Sequence, residues 1–241
     1  MIATPRFVYL HLHKSGGTFV NEALLRFVPG ARQLGYHLPA RLIPHALRKL
    51  PVLGFVRNPW AYYVSWYSFQ SAREDGGNAL FRALSDDGRL NFKQTVRNML
   101  ELGSDAPRLD RLLAQLPDAF SNQGFNLPRP ALEPLRGLKV GFYTYLYQYM
   151  FTGHNGQLFL GRTETLREDL LGFFDTLRLD PGPELRDFIS SHSARNASRH
   201  GDWRTYYDEE LRDLVAERDA TVIGQFNYAF SPAPAAAARS A

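Results

Sequence analysis

The segment His13-Lys14-Ser15-Gly16-Gly17-Thr18 sets a cation, two hydroxyls and two glycines side by side. That mixture suits an anion. Glycines let backbone N–H groups close around oxygen atoms, Lys14 adds a mobile full charge, and Ser15 and Thr18 add hydroxyl donors. A second cation, Arg57, stands in Phe55-Val56-Arg57-Asn58-Pro59, and a hydroxyl, Ser65, follows eight residues later. His37, in Gly35-Tyr36-His37-Leu38-Pro39, offers an imidazole whose ordinary pKa suits a general base near neutrality. Taken singly, each has a plainer reading: a solvated lysine, a surface arginine, a mid-helix serine, a turn histidine. Their settings argue for more.

Phe7-Val8-Tyr9-Leu10, continuing into His11-Leu12, reads as a buried strand that runs directly into the glycine segment. Phe19, Ala23, Leu24 and Phe27 then recur at helical spacing, with Thr18 as the helix start. A strand, a glycine turn and a helix N-terminus together form an anion site, because the free N–H groups and the helix dipole both favour negative charge. The pattern repeats. Pro51 to Val56 reads as a second buried strand, stopped at Arg57-Asn58-Pro59, with Pro59 in the first turn of a helix carrying Trp60, Val64, Tyr67 and Phe69. Gln157 to Gly161 reads as a third strand, followed by Thr163, Glu164 and a helix with Leu166, Leu170, Leu171, Phe174 and Leu177 on one face. Strands alternating with helices predict an α/β fold with a mainly parallel central sheet flanked by helices, and ligands at the carboxyl ends of the strands. Adjacent parallel strands would bring Lys14 and Arg57 to one sheet edge, as a ligand with two anionic groups requires.

The remaining chain is read more coarsely. Arg73 to Gly88 and Ser121 to Gly137 read as loops, Arg41 to Leu50 as a brief helix, and Asn91–Leu102, Leu109–Leu116 and Asp208–Asp219 as helices. The aromatic run Phe142 to Phe151 reads as a helix packed in the core, with stacking on sugar rings as the rival reading. Residues 1–230 are expected to form a single domain, and the Pro/Ala-rich residues 231–241 a disordered tail. Met1 to Phe7 leads straight into the first strand, which leaves no room for a signal peptide. No apolar run is long enough to cross a membrane, so a cytoplasmic protein is expected. Basic residues number 28 against 24 acidic ones, a mild excess that fits an anionic ligand, and no dense Lys/Arg run points to nucleic acid. Cysteine is absent, which excludes disulfides and a thiolate nucleophile; the scattered histidines lack metal-ligand spacing.

The glycine segment is not the nucleotide-kinase P-loop, in which lysine follows the second glycine, because Lys14 precedes both. His11-Leu12-His13-Lys14-Ser15-Gly16-Gly17-Thr18 instead resembles the 5′-phosphosulfate loop of sulfotransferases that use 3′-phosphoadenosine 5′-phosphosulfate, in the form found in carbohydrate-type and bacterial members. Phe55-Val56-Arg57-Asn58-Pro59-Trp60 with Ser65-Trp66-Tyr67 resembles their 3′-phosphate motif. Gly161-Arg162-Thr163-Glu164 with Leu166 and Asp169-Leu170 is similar to a later strand–helix segment. Asn196-Ala197-Ser198-Arg199, Tyr206-Tyr207-Asp208 and Phe226-Asn227-Tyr228 resemble the family's C-terminal region. The matches run from about residue 6 to 230, and residues 73–155 carry none of them. His13 departs from the pattern, which usually has proline there.

The resemblance implies a P-loop NTPase-like sulfotransferase fold and transfer of a sulfuryl group to an acceptor hydroxyl, without a metal. It implies that Lys14 serves the bridging and sulfuryl oxygens, and that Ser15, Gly16, Gly17 and Thr18 serve the 5′-phosphate. Arg57 and Ser65 would serve the 3′-phosphate, with Ser198, Arg199 and Asn196 closing from a late loop. His37 falls where carbohydrate-type members place a base histidine; His45, His200 and the carboxylate of Glu22 are rivals, and His11 braces the site. A sugar or polysaccharide acceptor follows from the branch whose loop this one resembles. Two other readings stand beside it. A P-loop-like nucleotide kinase would need a Gly-Lys-Ser/Thr sequence and a magnesium-binding aspartate, both missing at the first two strands. A non-catalytic module could bind a phosphorylated or sulfated ligand through the same loops.

Overall fold

The computed structural model describes residues 1–121, 125–192 and 201–231. Five strands form one sheet: β1 (Ile2–Ala3), β2 (Val8–Leu10), β3 (Arg32–Gln33), β4 (Val52–Val56) and β5 (Leu158–Arg162), in the order β3-β1-β2-β4-β5. β2, β4 and β5 are parallel neighbours, with Leu10 opposite Gly54 and Gly54 opposite Leu160. β1 runs antiparallel to both β2 and β3. The expectation that residues 1–7 lead straight into the first strand is therefore corrected. The Thr4 hydroxyl accepts from the Arg6 and Phe7 N–H groups and donates to the Phe7 carbonyl, folding the chain back as a tight turn between β1 and β2.

The helices are α1 (Gly17–Phe27), α2 (Pro59–Ser71), α3 (Ala79–Ser85), α4 (Phe92–Leu100), α5 (Ala106–Leu113), α6 (Arg129–Leu132), α7 (Phe142–Phe151), α8 (Leu166–Thr176), α9 (Gly182–Ser191), α10 (Glu209–Arg218) and α11 (Ala220–Phe226). They cover both faces of the sheet. Strand alternation sends Val8, Leu10, Val52 and Val56 into a core shared with α2, α4, α7 and α10. Phe7, Tyr9, Leu53 and Phe55 face the opposite core, built with α1, α8 and α9. Strands buried on both faces read as continuous apolar runs, as Pro51 to Val56 does.

Several helices were not legible in the sequence. α3 lies inside a stretch read as loop. Its seven residues are capped by the Asn78 side chain, which accepts from the Phe81 N–H, and its buried Leu80, Phe81 and Leu84 are too few to show a period. α6 is a single proline-started turn within residues 121–137, and α9 and α11 are short amphipathic helices in polar surroundings. Residues 41–50 form two separate 3-10 turns rather than a helix.

Gly54 lies at the middle of β4, where a Cβ would sit 2.3 Å from the ring of Phe151 and 3.0 Å from Leu160. Its backbone needs no unusual dihedral, so the constraint is space alone. Gly54→Ala is expected to cost about 1–3 kcal/mol by overpacking, read as a lower denaturant midpoint with an unchanged slope.

Candidate anion and transfer site

β2 and β4 end side by side, and each hands over to a helix N-terminus. After β2 the chain passes Lys14 at φ 59° and Gly16 at φ 75°, both left-handed, before α1 begins at Gly17. Gly16, not Thr18, is the residue before the helix; the left-handed turn favours glycine there, and Thr18 lies exposed in the first helical turn. Gly17 is required for a different reason. The His11 ring lies where its Cβ would be, 1.8 Å from Nε2. His11 thus braces the loop from beneath, as expected.

Arg57 follows β4 and reaches across to the first loop, where its Nη1 donates to the Lys14 carbonyl at 3.3 Å. The two cationic sites are therefore contiguous. Neither Lys14 nor Arg57 forms an ion pair with a carboxylate among the described residues. The Lys14 ammonium rests 4.0 Å above the exposed ring of Phe69. Burial, and then the neighbouring Arg57, lowers the Lys14 pKa to about 8. Burial also lowers that of Arg57, against the pull of Glu164.

The backbone at the end of β4 is pinned by side chains from remote segments. Thr163 donates to the Val56 carbonyl at 2.9 Å, Tyr143 Oη accepts from the Arg57 N–H at 2.6 Å, and Glu164 accepts from the Asn58 N–H at 2.8 Å. The other Glu164 oxygen accepts from the Tyr228 hydroxyl at 3.2 Å. Asn58 caps α2 by accepting from the Trp60 N–H, and its amide donates to the Ala229 carbonyl. Ser15 is buried. Its hydroxyl donates to the His13 carbonyl at 3.4 Å, and the less buried groups of the loop are Lys14, Gly16 and Thr18. Ser65 is likewise buried, in the second turn of α2.

His37 lies beside this loop. It adopts φ 50°, and its Nδ1 donates to the His11 carbonyl at 2.8 Å. Its ring stacks on His13 with centroids 3.6 Å apart and planes 14° from parallel, and lies 4.4 Å from the ring of His11. Because a carbonyl can only accept, Nδ1 carries the proton and Nε2 the lone pair. His13 donates from Nε2 to the Phe125 carbonyl at 2.7 Å, and its buried Nδ1 has no partner. Burial lowers all three pKa values: His11 to about 3, His13 to about 4, and His37 well below 6.5 with help from the two neighbouring rings. The cluster is neutral at physiological pH.

Lys14, Gly16, Gly17, Thr18, Arg57 and His37 thus meet at one sheet edge. His45 opens a 3-10 turn, and Glu22 lies on α1. Asn196, Ser198, Arg199 and His200, and all of the tail except Ser231, lie outside the described residues. Among those described, no group of three or more His, Cys, Asp or Glu side chains could hold a metal, and no helix is long and apolar enough to cross a membrane. Sequence reasoning missed Tyr143, which looked like one more aromatic in a core helix, and assigned no task to Glu164 or Tyr228.

No family model matches the chain, and no curated protein matches it. Among solved structures it is similar to mouse sulfotransferase SULT7A1 complexed with PAP, at 13% identity and a TM-score of 0.49, covering 93% of this chain and 87% of that one. A likeness of that degree assigns neither a family nor an activity.

The neutral histidines make a prediction about stability. Unfolded, each would take up a proton near pH 6.5, while the folded cluster refuses it, so stability falls as pH drops below 6.5. Each contributes a loss of about 1.4 kcal/mol by pH 5.5, roughly 4 for the three. Urea unfolding at pH 7.5 and 5.5 measures this, and equal midpoints would contradict the buried cluster.

Proposed function

We propose that the protein is a sulfotransferase that moves a sulfuryl group from 3′-phosphoadenosine 5′-phosphosulfate to an acceptor hydroxyl on a sugar or polysaccharide. The observation that carries this reading is the contiguous pair Lys14 and Arg57, two partly buried cations with no carboxylate partner among the described residues, at two adjacent helix N-termini. Cations removed from water without a counter-charge are costly, and a ligand with two anionic groups would relieve both. The residues fit such a donor. Lys14, with the backbone of Ser15 to Thr18, suits the phosphosulfate end, and Arg57 with Ser65 the 3′-phosphate, which distinguishes this donor from ATP. Ser198 and Arg199 are proposed to complete the pocket.

In the transfer, the acceptor oxygen bonds to sulfur as the bond from sulfur to the bridging phosphate oxygen breaks, releasing adenosine 3′,5′-bisphosphate. Charge grows on the leaving oxygen, where Lys14 would stabilise it. The acceptor proton passes to His37 Nε2, the lone-pair nitrogen fixed by the Nδ1 bond to the His11 carbonyl. Burial keeps His37 unprotonated at neutral pH but also weakens it as a base, so it would depend on the negative charge of the bound donor to hold the proton.

Calorimetric titration with adenosine 3′,5′-bisphosphate, 5′-AMP and ATP tests the reading. The bisphosphate is expected to bind at least tenfold more tightly than 5′-AMP, with the preference lost in Arg57→Ala. Equal affinities, or no binding, would overturn it, and tight binding without turnover of donor would favour a non-catalytic module. A second expectation concerns pH. A bound anion holds Lys14 charged, whereas the free lysine loses its proton above about pH 8, so bisphosphate affinity should fall about tenfold between pH 7 and 9. Lys14→Arg should flatten that dependence.

A further inference from the structure

Residues 125 and 126 belong to the stretch that carries none of the sequence motifs, yet both contact the segments that form the histidine cluster. The Phe125 carbonyl accepts from His13 Nε2 at 2.7 Å, which clamps the ring on which His37 stacks. The Asn126 amide donates from Nδ2 to the Tyr36 carbonyl, and so reaches the peptide group immediately before His37. Two adjacent residues of one loop therefore hold the ring beside His37 and the backbone in front of it.

Asn126 can make this contact in one orientation only. Its side chain is buried, and its backbone lies at φ 45°, a left-handed conformation that asparagine tolerates better than most residues. Oδ1 accepts from the Ser121 N–H at 2.8 Å within the same loop, and the Arg129 N–H donates to the Pro117 carbonyl at 2.8 Å to close that loop. An N–H can only donate and a carbonyl can only accept, so the Ser121 N–H and the Tyr36 carbonyl together fix which way the amide faces. The turn that it holds is a costly one. His37 sits at φ 50°, where a residue with a Cβ is crowded. That angle is the rotation of the His37 Cα against the planar peptide it shares with Tyr36, so a bond to the Tyr36 carbonyl holds the rotation. At the other end of the segment, the Leu34 N–H donates to the Met1 carbonyl at 3.0 Å.

We infer that Asn126 is a positioning residue for His37, holding the peptide before it so that Nδ1 stays on the His11 carbonyl and the lone pair stays on Nε2. This deepens the functional reading above, which makes His37 the base, and rests on it for its chemical meaning. A neutral imidazole can carry its proton on either nitrogen, and the nitrogen bonded to a carbonyl is the one that keeps it. A ring released from the His11 carbonyl would let the proton settle on Nε2. The nitrogen that is to take a proton from the acceptor hydroxyl would then already hold one.

Nitrogen-15 NMR of histidine-labelled protein at pH 7.5 reads the tautomer of each ring, with His37→Gln and His13→Gln assigning the two sets of signals. The comparison is between wild type and Asn126→Gly, which removes the amide and suits a left-handed backbone. Wild-type His37 is expected to carry its proton on Nδ1. In the variant, roughly half or more of the His37 signal is expected to move to the Nε2–H form, while His13 keeps its proton on Nε2. An unchanged His37 overturns the inference, as does a wild-type His37 protonated on Nε2. A change in both rings overturns it too, because it marks a general loosening of the loop. None of these outcomes touches the sulfotransferase reading, which stands or falls on the preference of the wild type for adenosine 3′,5′-bisphosphate over 5′-AMP. Should Asn126→Gly fail to fold, Asn126→Asp keeps the acceptor for the Ser121 N–H, replaces the donor with an oxygen, and is judged by the same signals.

Discussion

Two cations with no carboxylate ion pair among the described residues are the constraint on which the candidate site depends. Lys14 and Arg57 are close enough for the guanidinium of one to reach the carbonyl of the other, and burial depresses both pKa values. Such a pair repels itself, and two helix N-termini add further positive potential at the same edge. The surroundings avoid adding more. His11, His13 and His37 lie next to this loop and are all kept neutral, so the net field is that of two charges rather than five. Phe69 offers Lys14 a π face in place of a carboxylate. Glu164, whose charge acts on Arg57, has its oxygens engaged by the Asn58 N–H and the Tyr228 hydroxyl instead.

Holding a mutually repelling pair in place requires rigidity, and its source is long-range. Beyond β4 the sheet stops supplying hydrogen bonds, and three polar atoms of two successive peptide groups would be left without partners. Thr163, Tyr143 and Glu164 supply them, each from more than eighty residues further along the chain. Tyr143 in turn depends on Asp219, whose pKa is raised to about 6 by burial and whose carboxylate is shared by Tyr63 and Thr144. The candidate anion site is thus built from one local motif at each strand end and a scaffold contributed by α7, β5 and the C-terminal helices.

That division explains what was legible in the sequence. Both strand–turn–helix junctions could be read, because glycines, a stop at Arg57-Asn58-Pro59 and runs of β-branched residues are local signals. So could the mainly parallel sheet and the approach of Lys14 to Arg57, which follow from the βα alternation. The task of Tyr143 was hidden, since a core tyrosine and a tyrosine holding a site have the same spacing and differ only in what the hydroxyl meets across the fold. The burial of Ser15 was hidden for the same reason. β1 was missed because a two-residue strand has no period, and its turn rests on the single hydroxyl of Thr4.

His13 shows how a departure from a motif can be absorbed by packing. Proline at that position would stiffen the approach to the loop locally, by fixing φ. Histidine leaves φ free and replaces the local restraint with two distant ones: the bond from Nε2 to the Phe125 carbonyl and the stack on His37. The loop can then hold Lys14 at φ 59°, a conformation costly for a residue with a side chain, because its neighbour is clamped from both sides. The exchange also couples two functions that proline would keep apart. His13 is both the chain neighbour of Lys14 and the ring on which the proposed base rests.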